Sequence, residues 1–337
     1  MLDISTLDKI DSKGMYKIYD RWPEIAQEHY KSDLDSIYFD DVSHMVFAGM
    51  GGSGAISDIF SSILSKTNVH VDVIKGYLLP KTVDSRTLVV ATSISGDTVE
   101  TLTVLDSAKK CGCKLIAFSD GGRMQKYCSK NGIEHKQIPM LHSARASFTS
   151  FLYSMLKVLG PILPIRKEGV IESIIQLKKL QNEVTSGNLI DNNPSLRLAQ
   201  WISGIPLIYY PWGLQAAAIR FKNSLQENAK CHVIAEDVVE ACHNGIVAWK
   251  KSSDVKPILI RGEDDYIKTK ERWEILKEHL EGSKIEYKEV FSVKGSILSK
   301  LICLIYLLDY SSIYFAALSG IDPTPVDAID FVKSRLV

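Results

Sequence analysis

Met45-Val46-Phe47-Ala48-Gly49-Met50-Gly51-Gly52-Ser53-Gly54 is an apolar run that ends in a glycine-rich turn. Leu88-Val89-Val90-Ala91-Thr92-Ser93-Ile94-Ser95-Gly96-Asp97-Thr98-Val99-Glu100-Thr101 repeats the plan with hydroxyls in place of glycines. Each stretch reads as a buried strand, a tight turn and the start of a helix. Two such turns on neighbouring parallel strands aim backbone N–H groups and small hydroxyls at one point. That is how a protein holds a phosphate dianion.

The first loop alone is ambiguous. Gly49-x-Gly51-x-x-Gly54 fits a dinucleotide fingerprint, and Asp72 stands roughly 20 residues on, where a ribose-binding acid is expected. Asp72, however, lies inside the run Val69-His70-Val71-Asp72-Val73-Ile74, whereas such an acid belongs at a strand end. The second loop decides against a nicotinamide enzyme. Ser93, Ser95 and Thr98 crowd around Gly96 at an expected helix start, and a dinucleotide has no need of that cluster. The plainer reading is that these residues are ordinary N-caps, a position Ser and Thr favour in any case.

With both loops read, the chain resembles the sugar isomerase (SIS) domain family. Its two motifs, Gly-x-Gly-Gly-Ser-Gly and Ser-x-Ser-Gly-x-Thr-x-Glu-Thr, are intact here. The resemblance implies a flavodoxin-like α/β domain that binds phosphosugars. By it, Ser53, Ser93, Ser95 and Thr98 would grip the phosphate, and Gly51 and Gly52 would let the backbone approach closely.

The 337 residues exceed one ordinary core and suit two domains. Forty basic residues balance forty acidic ones, and no Lys/Arg run suggests a nucleic-acid partner. No stretch reads as the roughly 18 apolar residues of a membrane span. Met1-Leu2-Asp3-Ile4 lacks the basic-then-apolar pattern of a signal peptide. The six cysteines (Cys111, Cys113, Cys128, Cys231, Cys242, Cys303) form no C-x-x-C pair. They are expected to be reduced thiols, in keeping with a cytoplasmic protein.

Periodicity then divides the chain. Residues 1–40 read as a helical segment broken at Pro23. From 41 to 165, strands at 44–48, 69–74, 87–92, 114–119 and 135–138 alternate with helices at 53–65, 98–111, 122–131 and 147–160. Such alternation means a parallel sheet covered on both faces, with ligands at the carboxyl ends of its strands. A helical connector at 166–200 leads to a second α/β region at 201–320. That region has strands at 205–210, 257–261 and 285–290 and helices at 213–228, 264–280 and 295–319. The tail at 321–337 carries a helix after Pro325. The expected fold is two flavodoxin-like three-layer αβα domains with parallel sheets, the second a degenerate copy of the first without its phosphate loops.

Catalytic candidates lie in the second half. Arg220-x-Lys222-x-x-Leu225-x-Glu227-Asn228-x-Lys230 ends an expected helix, and Glu240-Ala241-Cys242-His243-Asn244 follows. A carboxylate and an imidazole near one phosphosugar suit proton transfer at sugar carbons. On composition alone Glu227 also reads as a solvated helix-end acid, and His243 as a structural histidine.

The whole chain resembles the archaeal bifunctional phosphoglucose/phosphomannose isomerases. The family's Asn-Glu-Asn-x-Lys segment appears here as Gln226-Glu227-Asn228-Ala229-Lys230. Its Pro-Glu-x-x-His-Asn-Glu segment appears as Val239-Glu240-Ala241-Cys242-His243-Asn244-Gly245. The tail motifs are Asp322-Pro323-Thr324-Pro325-Val326 and Ile329-x-x-x-Lys333. By that resemblance Glu227 would be the base that moves a proton between C1 and C2. His243, reaching the site from a partner subunit of a homodimer, would open the sugar ring with help from Lys333. Arg145, in Ser143-Ala144-Arg145-Ala146, would stabilise a negative enediolate; read alone, Arg145 and Lys333 are solvated surface cations. Thr324 is the candidate hydroxyl near C2–C3 for the mannose epimer. Val239, Gly245 and Gln226 depart from the family pattern, and Gly245 would loosen the loop that presents His243.

Aldose–ketose isomerisation needs a base and a cation but no redox group. No cofactor is therefore expected. The eight histidines are scattered along the chain, so no metal is expected either. Two other readings share the phosphate loops: a different SIS-domain phosphosugar isomerase, and a non-catalytic phosphosugar sensor.

Overall fold

The computed structural model describes residues 2–336. In chain order its elements are α1 (Ile4–Ile10), α2 (Met15–Asp20), α3 (Trp22–Tyr30), β1 (His44–Ala48), α4 (Gly51–Leu64), β2 (His70–Ile74), β3 (Thr87–Ser93), α5 (Val99–Lys110), β4 (Lys114–Ser119), α6 (Gly122–Asn131), β5 (Glu134–Gln137) and α7 (Phe148–Val158). They continue as α8 (Lys167–Val184), α9 (Pro194–Trp201), β6 (Ile205–Tyr210), α10 (Gln215–Ala229), β7 (Ile234–Asp237), α11 (Val238–Ala241), β8 (Val255–Arg261), α12 (Ile267–Gly282), β9 (Lys288–Phe291), α13 (Ile297–Leu318) and α14 (Asp327–Lys333). The chain divides into two compact units. One comprises Arg21–Lys178 with Gly295–Leu301; the other takes the chain up to Asp20, Lys179–Lys294 and everything from Ile302 on.

In the first-sheet unit the strands are parallel, in the order β2-β1-β3-β4-β5. That is the flavodoxin order, with its switch point between β1 and β3. The central strands β1 and β3 are buried along their whole length, as runs without polar alternation require. Val46, Ala48, Val89 and Ile74 pack against Val104 and Ala108 of α5. Further along the same face Ala91 and Ala117 meet Met124 and Cys128 of α6. On the opposite face Phe47 stacks on Phe60 of α4, ring centroids 4.8 Å apart. Helices on both faces give the expected three layers.

The second-sheet unit has four parallel strands in the order β7-β6-β8-β9. This repeats the first four positions of the other sheet, so the degenerate copy is present in topology. Leu207, Tyr209 and Leu259 pack on Trp273, Leu276 and Leu280 of α12, with Val238, Ala241 and Trp249 completing the cluster.

Several expectations need correction. The N-terminal stretch is three short helices, not one broken at Pro23. Gly14, at φ +67°, separates α1 from α2. Pro23 sits in the first turn of α3, where its missing N–H costs nothing, so it opens a helix rather than ending one. Helix α9 ends the expected helical connector, whereas strand β7 and helix α11 were not foreseen. Helix α9 is capped by Asn193, whose side chain accepts from the N–H groups of Ser195 and Leu196. Helix α13 also overturns the expectation about membrane length. Ile297–Leu318 is long and apolar enough to cross a bilayer, but 83% of its most apolar window is buried inside the protein. A helix that is apolar all round is what a core position asks for.

Candidate active site

In the first-sheet unit the two loops expected to hold a phosphate lie at the carboxyl ends of β1 and β3. The chain leaves β1 through Gly49 and Met50 and enters α4 at Gly51, where the first N–H groups have no acceptor within the helix. A Cβ on Gly52 would lie 3.2 Å from the Ala144 carbonyl oxygen, so the turn carrying Arg145 rests directly on this loop. Ser53 is buried, and its Oγ accepts from the Ile94 N–H at 3.2 Å, which ties the first loop to the second and leaves the hydroxyl proton to donate.

The second loop is held from within. Ser93 Oγ donates to Thr98 Oγ1 at 2.9 Å and is wholly buried. Its place is under the loop, whereas Ser95 is exposed and Thr98, the N-cap residue of α5, is half-buried. Gly96 has φ +74°, and a Cβ there would stand 2.1 Å from the Gly121 carbonyl oxygen. The Gly96 carbonyl accepts from the Met124 N–H at 2.8 Å, and Asp97 Oδ1 from the Arg123 N–H at 2.9 Å. The amino ends of α4 and α5 thus carry small, close-packed turns, the arrangement that favours an anion.

Arg145 is not the solvated cation that its sequence alone suggests; it is 5% exposed. Another cation stands near the loops. Lys75, next after β2, lies 2.5 Å from Asp58 of α4. Burial raises the Asp58 pKa and Lys75 offsets part of that rise. Asp72 lies in mid-strand opposite Val46 and is bonded to His44, which rules it out as a ribose ligand. The histidines are scattered in sequence only: His44 and His70 meet on adjacent strands.

The second-sheet unit carries the proton-transfer candidates. Glu227 is half-buried in the last turn of α10. Arg220, Ser224 and Asn228 recur at helical spacing along this helix and are all buried. Arg220 Nη2 and Ser224 Oγ reach Asp309 of α13 at 2.8 and 2.6 Å, and Asn228 Nδ2 donates to Ser312 Oγ at 2.8 Å. Burial alone would lower the Arg220 pKa, but Asp309 beside it raises it on balance. A sign of this anchor was available in the sequence: Asp309 is the one carboxylate in the apolar run from Ile297 to Leu318. A buried carboxylate calls for a buried cation.

Lys230 caps α10 at φ +55°. Its Nζ donates to the Glu227 carbonyl at 2.7 Å and to the Asp322 carbonyl at 3.1 Å. One side chain therefore ties the helix end that bears Glu227 to the tail that bears Thr324, a role the motif did not reveal. Thr324 is half-buried, with a long 3.5 Å contact from Oγ1 to Asp11. His243 is exposed on the turn after α11, whose amino end Asp237 caps. A Cβ on Gly245 would fall 2.6 Å from Glu236 Oε2, so the end of that side chain lies against the glycine. Lys333 ends α14, a helix with no buried residue.

Comparison with known proteins places this geometry. Residues 191–336 match the family described as bacterial phospho-glucose isomerase C-terminal SIS domain. A bifunctional phosphoglucose/phosphomannose isomerase of Caldicellulosiruptor bescii is 32% identical over 330 aligned residues, covering 93% of this chain and 96% of that one. The chain belongs to the bifunctional phosphoglucose/phosphomannose isomerase family. A second member, from Aquifex aeolicus, is 29% identical and covers 96% of both chains. Among solved structures, a hypothetical protein of Thermus thermophilus superposes with a TM-score of 0.75 at 15% identity, over 98% of this chain and 92% of its own. That likeness is one of fold.

Proposed function

We propose that this protein interconverts glucose 6-phosphate and mannose 6-phosphate with fructose 6-phosphate, by proton transfer through a cis-enediolate and without a metal. The 32% identity to the C. bescii bifunctional isomerase across nearly the full length of both chains carries the reading. The closely packed cradle of Gly51, Gly52, Ser53, Ser95 and Thr98, braced by Ser93, supports a phosphate at one end of the substrate.

In this scheme Glu227 takes the proton from C2 of the open-chain aldose and returns it to C1 of the enediolate. A second proton passes between O1 and O2, so the ketose forms with no net change in electrons. Arg145 offsets the negative charge that develops on the enediolate oxygens; its burial supports that role, since a desolvated guanidinium acts strongly on a nearby oxyanion. His243 and Lys333 open the ring before the proton moves. Both are exposed in the single chain, and α14 leaves Phe331 61% and Val332 55% exposed. That surface supports a homodimer in which His243 serves the neighbouring subunit. Thr324 stays the candidate for the C2–C3 region that distinguishes the epimers. Balanced charge and reduced thiols fit a cytoplasmic enzyme.

The test is to incubate purified protein with fructose 6-phosphate in EDTA and quantify the two aldose phosphates separately. The wild type is expected to make both. Glu227→Gln, which keeps shape and removes the base, is expected to lose about 10²–10⁴-fold in kcat. Only glucose 6-phosphate would restrict the activity to one epimer and remove Thr324 from its role. Neither product would overturn the isomerase reading and leave the phosphate cradle for another phosphosugar.

A further inference from the structure

We propose that His44, His70 and Asp72 form a binding site for one transition-metal dication of the zinc class, at the opposite end of the first sheet from the phosphate cradle. The placement follows from register. His44 opens β1 and faces His70, which opens the neighbouring parallel strand β2, and Asp72 lies two residues further along β2. A two-residue step keeps all three side chains on one face of the sheet. His44 Nε2 is 3.0 Å and His70 Nε2 3.6 Å from the same Asp72 oxygen, and one ligand atom from each residue lies within 4.8 Å of the others. A tetrahedral zinc ion with bonds of about 2.0–2.1 Å holds its ligand atoms roughly 3.3 Å apart. The two distances to Asp72 bracket that value. The remaining gap, between the imidazoles, closes by rotation of the His70 ring, whose side chain is 66% exposed.

The hydrogen bonds prepare His44 as a ligand. Thr87 Oγ1 donates its only proton to Asp84 Oδ1 at 3.1 Å, so at 3.1 Å from His44 Nδ1 it acts as acceptor. Nδ1 then donates to Thr87, and Nε2 is the nitrogen that faces Asp72 Oδ2, at 3.0 Å. A cation bound there would replace the hydrogen bond between that nitrogen and the carboxylate with a bond to each of them. The ordering of a ligand imidazole through its other nitrogen is the usual arrangement behind a metal-bound histidine. Two imidazoles and one carboxylate suit zinc, cobalt, nickel or copper, whereas magnesium and calcium prefer oxygen alone. The three residues leave a coordination position for water. Since Gly49 follows the far end of β1, the ion would take no part in isomerisation; it would fasten the edge strand β2 to β1.

The experiment uses the full chain, stripped with EDTA and dialysed, and titrated calorimetrically with Zn2+ beside His70→Ala and Asp72→Asn. Cobalt absorption and thermal unfolding provide independent readouts. The wild type is expected to bind about one equivalent, with a nitrogen–oxygen cobalt spectrum free of thiolate charge transfer and a melting temperature that rises with zinc. His70→Ala, which alters an exposed side chain, is expected to bind at least about 100-fold more weakly and to lose the thermal shift while keeping its isomerase rate. Asp72→Asn keeps the shape of the site and is expected to weaken binding by about 10–100-fold. Equal affinity in wild type and both variants would overturn the proposal. So would a thiolate band, which would move the ion to the exposed Cys111 and its neighbour Cys113. Absence of zinc binding in the wild type would also overturn it, leaving an imidazole–carboxylate hydrogen bond alone.

Discussion

At Gly96 a single methyl group would decide whether the cradle exists. The backbone is left-handed there, which costs any other residue about 1–2 kcal/mol. The added carbon would also sit 2.1 Å from the Gly121 carbonyl oxygen, a backbone atom that cannot swing aside. Gly96→Ala must therefore push the second loop off α6. The expected result is a rise in KM for fructose 6-phosphate of about tenfold or more, corresponding to about 1.4 kcal/mol of lost binding. Gly112→Ala is the control, because Gly112 has the same backbone hand and nothing within 4 Å of its Cβ. That variant is expected to lose a little stability and keep its KM; equal KM changes in the two would sink the steric argument. The two loops were legible because the residues of each are close in sequence and each type has a local reason to be there. The roles within them were not. Only coordinates separate Ser93, buried beneath the loop, from the exposed Ser95 two residues away.

Helix α10 illustrates how an element is fixed in place by polar atoms in an apolar setting. Arg220, Asp309 and Ser224 form a closed group, with Tyr19 OH donating to Asp309 at 3.2 Å. Asp309→Ala leaves a buried guanidinium without its carboxylate and is expected to cost about 3–5 kcal/mol in urea denaturation. The double change Arg220→Met with Asp309→Leu removes both charges and is expected to cost clearly less. Equal losses would mean that the ion pair does not hold α10 to α13. Long apolar runs such as α13 and β3 could be read from sequence within a residue or two. Strand β7 could not. It is a four-residue edge strand, Ile234-Ala235-Glu236-Asp237, half of it acidic, and short polar strands carry no period to detect. His44, His70 and Asp72 escaped for another reason: their meeting depends on the register of two strands, which no spacing along the chain reports.

At the scale of the whole molecule, a repeated alternating α/β plan was legible in the sequence, but the duplicated strand order was not, because β7 carries no period. A tail helix with no buried residue and an exposed histidine are surfaces that a second copy would cover. A symmetric dimer makes a quantitative prediction about mixed chains. Suppose each site takes Glu227 from one subunit and His243 from the other. A dimer of Glu227→Gln with His243→Ala then has one site with both changes and one site with neither. Random pairing of equal amounts makes half the dimers mixed, and half the sites in those are intact. Two preparations that are each inactive should therefore regain about a quarter of the wild-type rate after being unfolded and refolded together. If His243 instead serves the subunit it belongs to, every site in the mixture carries one damaged residue and no activity returns. Sedimentation of the same mixture guards the reading: a dimer with no recovered activity places the histidine within one chain, and a monomer removes the shared site altogether.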